Sequence, residues 1–330
     1  MKNNSILITG GAGYIGSHLL FCLLRKKYKI IVLDNLSSGS KKFVPKKVKF
    51  IKVDLLNKPK LREKLNRINF STVIHLAANS DVIESEINPK KYLYDNLVMT
   101  KNIIDISILK KVKNFIFSST AAVYGDSKNV KVSENSMLKP SSNYGLGKLF
   151  CENLVEKYCS ERNINYAILR YFNVVGAEVE SKIGQLKKGS LFKNIASNIV
   201  NNKFNVDIYG KDHATKDGTA LRDYIDVRDL AIIHLHVLNK FSKKNNLIVN
   251  CGYKKPYSVL DIVKNFSKVI NKKIKFIKKK KRQGDISKIF SDNSKLIKHY
   301  PDWKQLYDIR SSVESSLEWE KYLENKKYVI

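Results

Sequence analysis

The stretch "ILITGGAGYIGSH", residues 6–18, decides the fold. Gly10, Gly11, Gly13 and Gly16 fall between two apolar runs, and no Asp, Glu, Lys or Arg occurs from residue 5 to residue 24. A membrane span or a signal peptide therefore competes with a strand, a turn and a helix. Four glycines in seven residues weaken a membrane helix, and a signal peptide ends in a small-residue cleavage site. This run instead passes into "LLRKKYKIIVLDN", which reads as the end of a helix and then a β-branched strand over 29–33 ending in Asp34. The pattern is a strand over 5–9, a glycine turn, a helix over 14–27, a second strand and an acid. Gly11, Gly13 and Gly16 satisfy G-x-G-x-x-G, with Asp34 18 residues further on. That is the context of a dinucleotide-binding turn. The glycines let backbone approach a pyrophosphate, and the helix N-terminus offers oriented N–H groups and partial positive charge. Asp34 accepts from ribose hydroxyls and repels a 2′-phosphate, so the expected cofactor is NAD rather than NADP.

Outward from this unit the periods keep alternating. Strands are expected over 48–53, 71–78, 112–119 and 164–172, and helices over 59–68, 89–109 and 142–162. Further on come helices over 191–202, 227–239 and 258–270, and strands over 205–209, 247–251 and 273–277. The segment 178–189 is polar and turn-rich, as expected of a loop over a site. The expected fold is α/β, a Rossmann-type doubly wound parallel sheet with a smaller C-terminal substrate-binding lobe. The expected division is 1–173 with 225–252 returning to it, against 174–224 with 253–330.

The 61 Lys+Arg against 30 Asp+Glu give a net charge of +31. A polyanionic partner is one reading of this excess. The lysines are spread widely, however, and only "KKKKR" at 278–282 is dense, so neither a nucleic-acid nor a membrane partner is expected. Cys22, Cys151, Cys159 and Cys251 are scattered, without metal-ligand spacing, which points to reduced thiols in a cytoplasmic protein and to no metal site.

Two motifs carry chemistry. "SSTAAVYG", 118–125, ends a strand, where open α/β sheets bind ligands. "NYGLGK", 143–148, puts Tyr144 and Lys148 at i and i+4, on one helix face about 6 Å apart along the axis. A free tyrosine titrates near ~10, and the lysine ammonium is expected to draw it down toward a usable base. Tyr144 then takes a proton from a substrate hydroxyl, and Thr120 shares that proton.

Together "TGGAGYIGSH", "DNLSSG", "HLAA", "SSTAAVYG", "YGLGK", "LRYFNVVGA", "DGTALRDYIDVRDLA" and "RQGD" resemble the UDP-glucose 4-epimerase family of the extended short-chain dehydrogenase/reductases, over nearly the whole chain. The resemblance implies NAD-dependent oxidation at sugar carbon 4, turning of the 4-keto intermediate and re-reduction from the opposite face, by a homodimer. It implies Tyr144 as base, Lys148 as its partner and Thr120 as the proton-sharing hydroxyl. Gly10, Gly13, Tyr14, Ile15, Asp34, Asn35, Asp54, Leu55, Ala77, Asn96 and Tyr171 are implied at NAD. Asn173, Arg222, Arg282 and Asp285 are implied at UDP, with uracil contacts near Ser190 and Leu191 and a sugar gate at Ile289. UDP-N-acetylglucosamine or UDP-glucuronate epimerisation and UDP-glucuronate decarboxylation stay open as alternatives. A 4,6-dehydratase needs an Asp-Glu pair where Ala121 and Ala122 stand. Asn143 occupies the position at which the resemblance leads one to expect proline, a change expected to alter the turn and not the chemistry.

Overall fold

In the computed structural model the described residues are 5–127, 129–210, 213–241, 246–281 and 285–326. The first unit is β1 (Ser5–Thr9), α1 (Tyr14–Arg25) and β2 (Lys29–Asp34). There follow β3 (Lys49–Lys52), α2 (Lys58–Leu65), β4 (Thr72–His75) and the short α3 (Val82–Ile87). A wide π-type turn over Lys91–Asp95 opens α4 (Asn96–Leu109), where one uninterrupted helix was expected. Then come β5 (Asn114–Thr120), β6 (Lys131–Val132), α5 (Asn143–Glu161), β7 (Asn165–Tyr171) and β8 (Asn173–Val175). The remainder is α6 (Leu191–Val200), β9 (Asn205–Tyr209), β10 (Leu221–Asp226), α7 (Val227–Lys240), β11 (Leu247–Cys251), β12 (Pro256–Ser258), α8 (Val259–Val269), β13 (Lys275–Lys279), β14 (Lys288–Ser291), α9 (Ser294–His299) and α10 (Ile309–Asn325).

Seven strands form one parallel sheet in the order β11-β7-β5-β4-β1-β2-β3. Both faces are covered because strand residues alternate sides. Ile6 and Ile8 pack with Leu19, Leu20 and Leu23 of α1 and with Leu230, Ile233 and Val237 of α7. Leu7 packs the other way, with Leu61 and Leu65 of α2, Ile103 of α4 and Val155 of α5. The strand order reverses between β1 and β4, which opens a crevice at their C-terminal ends.

A second sheet runs β12-β10-β14-β6, with β8 also paired to β10, and β9 pairs with β13. Beside it lies a separate core of Phe192, Ile195, Val206, Ile208, Tyr224, Ile262, Phe266, Val313 and Leu317. Helix α7 packs on α1, and β11 extends the main sheet beside β7. Among the described residues no helix is long and apolar enough to cross a membrane.

Candidate active site

The crevice at the strand reversal widens into one cleft of about 1190 Å³ running from the glycine turn to the second sheet. At one end Gly10 follows β1 with φ +69°, and a Cβ there would meet the Ala77 backbone at 2.8 Å. Only glycine lets the turns after β1 and β4 come this close. Gly13 caps α1 without a side chain, so the helix dipole and its first N–H groups face the cleft. Asp34 ends β2 with Oδ2 accepting from Ala12 N (3.0 Å) and Oδ1 from Leu36 N (2.8 Å). Burial pushes its carboxyl up, against those two hydrogen bonds. A small-residue turn, an open helix N-terminus and an anchored acid fit a dinucleotide.

Gly13, Tyr14, Ile15, Asn35, Leu55, Ala77 and Tyr171 also line this cleft. Two further residues implied at the cofactor have their polar groups partnered within the chain. Asn96 is buried and spends its amide on the Asn79 backbone, accepting from N (2.8 Å) and donating to O (3.0 Å). Asp54 is exposed, accepts from Leu56 N and holds the Asn35 side chain at 3.3 Å. Tyr171 is set by a buried histidine that the sequence did not disclose. His234 Nδ1–H donates to Leu230 O (2.8 Å), which leaves Nε2 to accept from the Tyr171 hydroxyl (2.7 Å). Burial holds His234 down at about 4, so it stays neutral.

At the centre Thr120, Tyr144 and Lys148 share the cleft wall. The Thr120 hydroxyl lies on the Tyr144 phenol's side of the cleft and accepts from Ala122 N (3.2 Å). Lys148 is 3% exposed and donates from Nζ to Ser118 O (2.8 Å). The expectation that the ammonium draws the phenol down is not met. Burial pushes Tyr144 up to about 12, opposed by the Thr120 hydroxyl, and burial brings Lys148 down to about 8. Desolvation is the largest cause for both groups.

Behind this face lies a polar network missed in the sequence. Glu152 forks onto Arg170 (2.7 and 3.0 Å), both about 2% exposed, and takes the Ser119 hydroxyl. Arg170 also donates to the Tyr124 hydroxyl (3.0 Å), which donates to Asn250 Oδ1 (2.7 Å). The only signal was an arginine inside an otherwise apolar strand.

Toward the second sheet the cleft is lined by Asn173, Ser190, Leu191, Arg222, Asp285 and Ile289. Arg222 Nη1 donates to Leu221 O (2.9 Å) and Ser287 O (3.4 Å). Arg282 lies outside the described residues. The aspartates around Arg222 are structural. Asp223 accepts from Tyr253, Lys254 and Ser291, while Asp226 grips Arg228 (2.8 and 2.9 Å) and takes Ser312. Among the described residues no cluster fit to hold a metal ion is present.

A profile of the NAD dependent epimerase/dehydratase family matches residues 6–252. The UDP-glucose 4-epimerase of Pasteurella multocida is 36% identical, over 96% of this chain and 97% of that protein. The one of Dictyostelium discoideum is 33% identical over 96% of each. The solved UDP-glucose 4-epimerase from Bifidobacterium longum, in complex with NAD+ and UDP, superposes with a TM-score of 0.92 at 33% identity, covering 98% of this chain and 99% of that one. The glycine turn, the crevice and the Tyr144–Lys148 face all fall within the matched residues, and the chain belongs to the NAD dependent epimerase/dehydratase family.

Proposed function

We propose that this chain interconverts UDP-glucose and UDP-galactose by transient oxidation at sugar carbon 4, with NAD as its cofactor. The observation that carries the reading is a single cleft with a dinucleotide turn at one end, Arg222 and Asp285 at the other, and Thr120, Tyr144 and Lys148 between them. The Pasteurella and Dictyostelium relatives and the Bifidobacterium neighbour are named for UDP-glucose, which favours that substrate over N-acetylated or uronate sugars.

Gly10, Gly13, Ile15, Asp34 and Asn35 hold the dinucleotide, with Tyr171 at its nicotinamide end. What NAD supplies when bound is a cationic ring that accepts hydride from carbon 4 and returns it, together with a positive charge that favours the Tyr144 phenolate. Tyr144 takes the proton of the 4-hydroxyl, Thr120 shares it, and Lys148 holds positive charge on the same face. Arg222 grips the pyrophosphate and Asp285 the ribose hydroxyls while the hexose turns. Arg282 is the expected second arginine. Tyr144 then gives the proton back to the new alkoxide, with no net redox.

The same reading divides the chain into a cofactor unit, 1–173 with 225–252, and a substrate lobe, 174–224 with 253–330. It makes the protein a homodimer through α4 and α5, beside which Ile87, Tyr94 and Phe150 are exposed. It also places the protein in the cytoplasm, where its four free thiols stay reduced. Tyr144→Phe tests the reaction. Turnover of UDP-galactose should fall about a thousandfold with NAD still bound. Undiminished epimerisation by this variant contradicts the mechanism.

A further inference from the structure

The helix that carries Tyr144 and Lys148 begins at Asn143, and its first three N–H groups have no partner within the helix. Each finds one outside. Gly145 N–H goes to its own N-cap, Ser142 Oγ (3.1 Å). Tyr144 N–H goes to Ser85 Oγ (3.2 Å), whose own hydrogen is given to Val82 O (2.6 Å). Asn143 N–H goes to Glu86 Oε1 (2.8 Å), and the Asn143 amide donates to Glu86 Oε2 (3.2 Å). Two of the three donors are thus held by α3, an element remote in sequence. A carboxylate at a helix N-terminus also meets the positive end of the helix dipole.

Helix α3 is itself fixed. Asp81 caps it through Ile83 N and Glu84 N (3.0 and 3.1 Å) and pairs with Lys187 (3.0 Å). Glu84 pairs with Lys91 (2.6 Å) and accepts from the Tyr92 hydroxyl (2.7 Å). The facing turns of α5 have no slack, because a Cβ on Gly145 would meet Ala122 O at 2.6 Å and one on Gly147 would meet Tyr92 O at 2.9 Å. The turn into α5 has a geometry that proline would also accept. Ser142 is extended, with φ −133° and ψ 152°, and position 143 is the first helical residue, where proline fits. What asparagine adds is an N–H, and Glu86 is where that N–H goes.

We infer that Glu86 is a positioning residue for the reaction, setting the register of the Tyr144 side chain by clamping Asn143 at the start of its helix. The inference rests on Tyr144 being the base. Glu86 reaches the chemistry through Asn143 and, at 3.3 Å, through the Ser85 hydroxyl that holds the Tyr144 N–H, so its removal should slow the step that needs Tyr144 in place and spare substrate affinity.

The test is UDP-galactose turnover by the wild type, Glu86→Ala, Glu86→Gln and the double variant Glu86→Val with Asn143→Pro, all with NAD bound. Glu86→Ala should lower kcat about tenfold, with KM changed by less than about twofold. Glu86→Gln keeps an acceptor for the Asn143 N–H and should recover most of the loss. The double variant has no N–H left to satisfy and should recover it as well. Wild-type kcat in Glu86→Ala, a loss seen in KM instead, or a double variant as slow as the alanine variant overturns the inference. If Glu86→Ala fails to fold, the glutamine and double variants decide by the same comparison. An inactive wild type would instead overturn the proposed function.

Discussion

Replacing Lys148 by methionine should make the protein more stable while removing its activity. The ammonium is almost fully buried, and that burial lowers its pKa from 10.5 to about 8. Such a drop is worth about 3 kcal/mol at about 1.4 kcal/mol per pH unit, and it opposes folding at neutral pH. Methionine keeps the apolar stem but loses the charge-assisted Nζ contact to Ser118 O, a bond worth about 1.5 kcal/mol or somewhat more. A net gain of about 1–2 kcal/mol at pH 7 follows. The sign depends on pH. Below 8 the lysine is charged in both the folded and the unfolded chain, and the burial penalty is complete. Between 8 and 10.5 the unfolded chain binds the proton and the folded one does not, so the wild type gains stability as pH rises. The advantage of the methionine variant should shrink by about 2 kcal/mol between pH 7 and 9.5. Urea unfolding of both proteins, stripped of nucleotide so that ligand linkage does not enter, measures this. A wild type at least as stable as the variant at pH 7, or a gap that ignores pH, refutes the reasoning.

Arg170→Met leaves Glu152 charged and buried without its fork and should cost about 3–5 kcal/mol in urea unfolding; a loss below about 1 kcal/mol would show that the network is not held by this pair. Asp34→Ala with Asn35→Arg should weaken NAD retention and admit NADP, read by mass spectrometry of the nucleotide released on denaturation, and a wild type that carries NADP contradicts the role given to Asp34. Light scattering at micromolar concentration should give the mass of a dimer, and a monomer there removes the helix pairing from the account.

Much of this was legible because periodicity and turn chemistry are local. The strands Asn205–Tyr209 and Leu247–Cys251 fall where the sequence put them, and β1, α1 and β2 surround the glycine turn as expected. The second sheet was not legible. Its β6, β8, β12 and β14 have two to four residues each, too few to show a period, and β10 pairs only with strands distant in sequence. Helix α10 was missed although Asp308 caps it through Ser311 N and its apolar positions repeat at helical spacing. Spacing put Tyr144 beside Lys148 but said nothing of how deeply either is buried, so the sense of the phenol's shift was misjudged. Within "DGTALRDYIDVRDLA" the resemblance pointed to Arg222, which lines the cleft, but the sequence did not show that Asp223, Asp226 and Asp229 are interior anchors.

The central claim is that the hydrogen on sugar carbon 4 leaves and returns inside one cleft. UDP-galactose deuterated at carbon 4, incubated with the purified protein in ordinary water and without added NAD, tests it directly. The account predicts UDP-glucose that keeps its deuterium at carbon 4. UDP-glucose carrying protium there, or no UDP-glucose at all, contradicts it.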